Sequence, residues 1–555
     1  MAWTKEQEEA INTEGTNIIV SAGAGSGKTA VLTARVQRKL LSGVHINELL
    51  VLTFTNAAAA EMKERIRKTI NKTEGLENEK DLVDSAYITT FDSFALSIVK
   101  KYHTYLNITN KIKITDQAII DIKKNEILDE IFDEYYLSPK KKFLNLINNF
   151  CLKDDKNLKD SILNIYKKIE LKYDKDLFLD EYLNNFFTDY KINEYIKEYT
   201  SILMSKKRTI RDLINKLDEY FDGDFVAKVE DSLSKLLKAK CYDDFKELDI
   251  KTVVVPKNSP EEGKRIKSTI FEIVKQIKEY CIYDSEEEIK DEIYSTRENV
   301  EVIIEILKEL NKRLNTYKLE NEIFNFNDIA YLAIKVVLEN YDIREELTNS
   351  FNEILVDEYQ DTNDTQERFI SLISKNNVYM VGDIKQSIYR FRNANPYIFK
   401  SKYDSYSNSN KGIKIDLLKN FRSRDNVLQN INLLFDLFMD DEIGGADYKV
   451  SHRMIFGNNT YINEGKTDQN YDMDIITYND KEIDVSKDEE EAFIIGNDIK
   501  TKIENKFQIF DKDNLILRDV EYNDFVILLD KSKNFELYKK VFEYLHIPIS
   551  ILKDE

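Results

Sequence analysis

The chain has 555 residues, room for about three to four domains, and its 81 Lys and Arg against 101 Asp and Glu leave a formal charge of −20. That balance argues against a basic coat for non-specific nucleic-acid binding, though a groove needs only local positive charge. Cys151, Cys241 and Cys281 stand singly, the amino end MAWTKEQEEA is charged, and long apolar runs are missing, so a CxxC zinc site, a disulfide framework, a secretory signal and a membrane span are not expected.

In chain order, apolar runs predict strands at TNIIVS (16–21), ELLVLTFT (48–55) and AYITT (86–90). Between Leu76 and Val381 only two glycines occur, Gly223 and Gly263, which favours helices. Val300, Ile303, Leu307, Leu310, Leu314 and Tyr317 fall on one face of a predicted helix. The clearest break in this region is VVVPKNSPEEGKR (253–265). Its Lys/Asp/Glu-rich faces read as solvated surface. Further strands are predicted at FNEILVDE (351–358), NVYMVGD (377–383) and GIKIDLL (412–418). Uninterrupted apolar runs alternating with helices are the pattern of a parallel sheet covered on both faces. Beyond them, YDMDIITY (471–478), DFVILLD (524–530) and IPISIL (547–552) read as strands, with a helix in SKDEEEAFIIGNDIKTKI (486–503).

AGAGSGKT (22–29) lies between the first strand and a helical run. Gly23, Gly25 and Gly27 keep this loop free of side chains, so that main-chain N–H groups of Ala22, Gly23, Ala24, Gly25, Ser26, Gly27, Lys28 and Thr29 can curl around phosphate oxygens. Lys28 would reach the β and γ phosphates, and Thr29 would bind Mg²⁺. The loop is therefore expected to hold a nucleoside triphosphate with Mg²⁺. In ILVDEYQD (354–361) two carboxylates follow a buried strand. Asp357 suits Mg²⁺, usually through water, and Glu358 suits the orientation of an attacking water.

Together these motifs resemble the UvrD/Rep branch of superfamily 1 DNA helicases, and within it the AddA group of helicase/nucleases. WTKEQEEAI (3–11) resembles the adenine-reading segment, LTFTNAAAAEMKERI (52–66) and ITTFDSFAL (88–96) two DNA-contacting motifs, DEYQDTNDTQ (357–366) the acidic motif, VGDIKQSIYRFRNANPYIF (381–399) the sensor motif and NFRS (420–423) the arginine motif. The form GDIKQSIYRFR points to the AddA group. The resemblance implies a RecA-like P-loop domain at 1–110 and 325–411, an inserted helical domain at 111–324 and the start of a second, incomplete RecA-like domain at 412–555. It implies that Gln7 reads adenine, so that the nucleotide is ATP, that Gln386 senses the γ-phosphate, and that Arg422 acts as an arginine finger in cis. Phe54, Asn56, Ser93, Tyr389 and Phe391 would line a single-strand path. Lys63, Arg65 and Arg67 read better as ordinary surface charge than as phosphate contacts.

The implied activity is ATP-dependent 3′–5′ translocation in double-strand-break repair, on single-stranded DNA and DNA ends. The implied partner is a second, AddB-like chain, with no membrane association and a cytoplasmic location. Ala22 stands in place of the usual first loop glycine. Asp92 stands where the wider family has His; a carboxylate beside a DNA phosphate is repelled, so no DNA contact is assigned to it. After Ser423 no match to the later helicase motifs or to a nuclease domain is found, so the chain is expected to stop inside the second motor domain. A nucleotide-binding module without motor work, or an inactive helicase fragment, is the competing reading.

Overall fold

Residues 3–246, 248, 250–408, 411–440, 443–458, 470–478, 486–511 and 514–552 are described in a computed structural model of the chain. The chain forms two compact units, residues 1–98 with 333–555, and residues 99–332.

The first unit is built on six strands: β1 (Ile18–Ala22), β2 (Leu49–Thr53), β3 (Tyr87–Thr90), β4 (Glu353–Val356), β5 (Val378–Gly382) and β6 (Ile413–Leu417). They lie in the order β3-β2-β4-β5-β1-β6, and every pairing is parallel. β1 runs through the sheet with Val20 opposite Val381 on one side and Ile415 on the other. Each residue of β1, β2, β4 and β5 is buried, because parallel strands are covered on both faces. All six apolar runs expected up to residue 418 are strands. Helices α1 (Lys5–Asn12), α2 (Lys28–Leu41) and α3 (Asn56–Lys72) belong to the same unit, and α4 (Phe91–Lys101) begins in it. α1 begins on a capping box in which Thr4 and Gln7 each accept from the other's main-chain N–H. Val31, Leu32 and Val36 of α2 and Met62 and Ile66 of α3 share one core with Val20, Val51 and Leu355.

Inside that core lies a charge. Arg35 is fully buried and meets Glu353 with two bonds of 2.8 and 2.6 Å. It also donates to the carbonyl of Ala10 at 2.8 Å and sits 4.2 Å from the centroid of the Tyr379 ring. A buried guanidinium is tolerated when its donors are met in this way, and the arrangement ties α1, α2, β4 and β5 together.

Toward the carboxyl end the expected helix is present as Lys487–Glu504, started by a Ser486–Glu489 capping box. The three strands expected at 471–478, 524–530 and 547–552 are not strands. The segment at 524–530 keeps the side-chain alternation of one: Phe525, Ile527 and Leu529 pack on the helix pair Lys487–Glu504 and Phe535–Tyr544, while Val526 and Leu528 are exposed. Among the described residues no neighbouring backbone offers it a ladder, and a strand needs one. Conversely, the antiparallel pair Gln508–Asp511 with Ile516–Asp519 is too short and too polar to stand out in the sequence.

The second unit is helical apart from a two-residue pairing of Lys113–Ile114 with Ile323–Phe324. The expected amphipathic helix is Arg297–Asn321, with Leu307, Leu310 and Leu314 buried. Val302, Ile304 and Ile306 are buried as well, a wider face than the single stripe, since this helix packs on several others. Residues 253–260 interrupt the helices, which resume at Glu261. Two buried lysines here are paired within the unit, Lys124 with Glu170 at 2.5 Å and Lys318 with Asp328 at 2.8 Å, while buried Lys175 sits 4.9 Å from the centroid of the Tyr331 ring.

Candidate functional site

The loop between β1 and α2 is shaped by its glycines and held by its neighbours. Gly25 and Gly27 have φ of +69° and +85°, a region glycine enters without steric cost. A Cβ at Gly25 would lie 2.7 Å from Arg422 Cβ and 2.9 Å from Asn420 Nδ2, so no other residue fits. Asn420 explains the closeness. Its Nδ2 donates to the Ala24 carbonyl at 2.6 Å, and the Phe421 N–H donates to the Gly25 carbonyl at 2.8 Å. From the other side Gln7 Nε2 donates to the Ser26 carbonyl at 3.0 Å. With these carbonyls engaged, Ala24, Gly25, Gly27 and the first residues of α2 border one cavity. That is an anion-binding geometry.

The opposite wall comes from the turn after β4. Glu358 takes φ of +49°, and its carboxylate meets Lys28 Nζ at 3.0 and 2.8 Å. Asp357 precedes it at the strand end. Burial, then the Glu358 carboxylate, push the Asp357 carboxyl up to about 6, with Lys28 acting the other way. Asp361 is likewise raised to about 6 by burial and by Glu358. The turn after β5 supplies Gln386, whose Nε2 donates to Asp383 Oδ2 at 2.7 Å.

A cavity of about 380 Å³ is lined by Ala24, Gly25, Gly27, Lys28, Thr29, Ala30, Arg65, Glu358, Gln386 and Arg422. The structure thus brings together Lys28, Thr29, Glu358, Gln386 and Arg422, from loops far apart in the chain. It also adds Arg65, which the sequence reading left on the surface. Arg65 sits on α3 with its guanidinium on Glu61 at 2.9 and 2.6 Å, and its place in the wall follows from how α3 packs beside α2. Ala22 is the buried last residue of β1, and Gly23 donates to Leu417 at 3.2 Å; neither lines the cavity. Gln7 and Ser26 line an adjoining hollow of about 110 Å³ with Leu417, Leu418, Phe421 and Ile455. Among the described residues no group of three or more His, Cys, Asp or Glu side chains converges, though Mg²⁺ beside phosphates takes only one or two carboxylates. The Thr29 hydroxyl and Asp357 carboxylate are hard oxygen donors of the kind Mg²⁺ takes together with phosphate oxygens, so the residues present fit that ion.

A few residues beyond Gln386, the same segment forms an aromatic shelf. The rings of Phe54 and Tyr389 lie 4.6 Å apart, and those of Tyr389 and Phe391 5.9 Å apart. The Arg392 guanidinium, absent from the sequence reading, is 5.4 to 5.9 Å from the centroids of all three. Phe391 is 78% exposed, far outside the usual range for a core aromatic. Asn56 and Ser93, both exposed, are joined through the Thr90 hydroxyl at 3.4 and 3.0 Å. Asp92 is partly buried, and burial raises its carboxyl above the usual range. Lys63 and Arg67 pair with Asp84 on the exposed side of α3, in line with their reading as surface charge.

Residues 3–407 match the family described as UvrD/REP helicase N-terminal domain. Among curated proteins, the A subunit of the ATP-dependent helicase/nuclease of Clostridium botulinum is 32% identical over 96% of this chain and 48% of its own length. The protein of the same name from Clostridium acetobutylicum is 31% identical over 99% of this chain and 49% of its own. That of Listeria welshimeri is 30% identical over 95% and 47%. The chain spans about half the length of the curated relatives it matches. Among the described residues no helix is long and apolar enough to cross a membrane.

Proposed function

The chain belongs to the UvrD/REP helicase family, and we propose that it carries the ATP-hydrolysing, strand-gripping part of an AddA-like motor that moves 3′–5′ along single-stranded DNA in break repair. The observation that carries this reading is one short segment. Gln386 stands in the cavity wall, and three residues later Tyr389 stands in the aromatic shelf. A nucleotide switch alone would have no need of an aromatic shelf, its Phe391 ring exposed, tied to its sensor.

In this reading the main-chain cradle and Lys28 bind the β and γ phosphates, and the hollow beside Gln7 takes the base. Thr29 and Asp357 hold Mg²⁺, which when bound offsets charge on the phosphates. Glu358 aims the attacking water, so Lys28 must exchange the Glu358 carboxylate for phosphate oxygens as nucleotide enters. Arg422 stabilises charge on the γ-phosphate. Phe54, Tyr389 and Phe391 stack on bases whatever their identity, with Asn56 and Ser93 beside them. Residues 111–324 act as a helical insertion, and 412–555 as the beginning of a second RecA-like domain. In the cell the partner would be a second, AddB-like chain, and the setting cytoplasmic.

The second reading, a nucleotide-binding module without motor work, has one observation in its favour. Past Phe456 the described residues make a helix pair and an antiparallel hairpin rather than a parallel sheet. ATP hydrolysis measured with and without single-stranded DNA separates the two. Marked stimulation by DNA supports the motor, and binding without turnover at any DNA concentration supports the module.

A further inference from the structure

Gln360 has no role in the reading so far, yet its side chain is bonded at both ends of its amide and is 1% exposed. Its Nε2 donates to Glu358 Oε2 at 2.8 Å and to Asp361 Oδ2 at 3.1 Å. Its Oε1 accepts the main-chain N–H of Asp383 at 2.9 Å. The amide cannot be turned the other way, because that would set its oxygen against two carboxylates and its NH₂ against an N–H. The approach is built into the backbone as well. A Cβ at Gly382 would lie 2.4 Å from Gln360 Oε1, so a glycine is needed for the two turns to come this close. Asp383 is 1% exposed and continues the chain of contacts, receiving Gln386 Nε2 at 2.7 Å and Lys385 Nζ at 2.7 Å. The sequence of bonds is therefore Glu358, Gln360, Asp383, Gln386, all within the first unit.

We propose that Gln360 is a positioning residue for Glu358. It fixes the carboxylate to the main chain of the segment carrying Gln386, and shares it with Lys28. When Lys28 turns to phosphate, the Gln360 amide keeps Glu358 in place. Any shift of the 383–386 turn moves the carboxylate with it. The inference rests on the nucleotide reading of the cavity.

The test is a double-mutant cycle on nucleotide affinity, which separates coupling from independent effects. The full chain, Gln360→Met, Glu358→Gln and the double variant are titrated with a fluorescent non-hydrolysable ATP analogue and Mg²⁺, each after thermal melting has shown a wild-type-like transition. Without the amide, Glu358 leans wholly on Lys28, so Gln360→Met weakens binding about three- to tenfold. In the Glu358→Gln background the same change alters affinity less than about twofold. Should Gln360→Met not fold, Gln360→Leu removes the donor without adding charge beside Glu358 and Asp361, and gives the same loss. Equal effects of the Gln360 change in both backgrounds, or none in either, overturn the inference while leaving the cavity's function intact. A wild-type chain that takes up no nucleotide overturns the functional reading, and this inference with it.

Discussion

The two units differ in the ion pairs they hold. In the helical unit Lys124 and Lys318 are 4% and 2% exposed and meet Glu170 and Asp328, while Asn311 joins Tyr166 to Asp176 at 2.8 and 2.7 Å. These pairs are satisfied within the unit. In the sheet unit the Arg35–Glu353 pair is of that closed kind, but the Lys28–Glu358 pair is not. Its carboxylate is 37% exposed and borders an open cavity. A closed pair holds a fold, whereas a pair on a cavity wall can trade partners. The aromatics divide the same way, with Phe132 and Phe143 fully buried in the helical unit and Phe391 78% exposed in the sheet unit.

That contrast can be broken experimentally. The largest effect is expected from Lys28→Ala, which removes charge compensation at the phosphates. ATP turnover should fall by about a hundred- to a thousandfold, as for loss of a main electrostatic group, with the melting temperature unchanged. Lys318→Met should do the reverse. Leaving Asp328 and Glu170 under-compensated costs about 3–5 kcal/mol, visible as early melting of the helical unit with nucleotide binding intact. Phe391→Ala should weaken single-stranded DNA binding by about 1–3 kcal/mol and leave stability alone, while Phe132→Ala should lower stability by about 3–5 kcal/mol. The smallest effect is Arg65→Ala. Nucleotide affinity should drop about three- to tenfold, the range for losing one ordinary hydrogen bond at a solvent-exposed group. If Arg65→Ala binds nucleotide as wild type does, its place in the wall is incidental.

Much of the sheet was legible because parallel strands buried on both faces leave uninterrupted apolar runs, as in ELLVLTFT. The cavity residues were legible where their chemistry is local, as with the glycines before Lys28 or the carboxylates ending β4. What escaped depends on the third dimension. Arg65 is one of several basic residues on α3, and only the helix's rotation against α2 tells it from Arg67. Gln360 looks like filler between two acids until the turn after β5 is brought against it. Asn420 reads as part of the arginine motif, yet its side chain braces the phosphate loop at Ala24. The runs at 471–478, 524–530 and 547–552 misled for a related reason. An apolar pattern states which residues can be buried, while a strand also needs a neighbour to bond.

The proposed motor requires that the nucleotide cavity and the aromatic shelf be coupled through residues 383–391, and linkage makes such coupling reciprocal. The most direct measurement is the affinity of the chain for a fluorescent single-stranded oligonucleotide, with and without a non-hydrolysable ATP analogue and Mg²⁺. The account predicts a shift of about fivefold or more in the wild type and its loss in Gln386→Ala. Identical DNA affinity with and without bound nucleotide would contradict it.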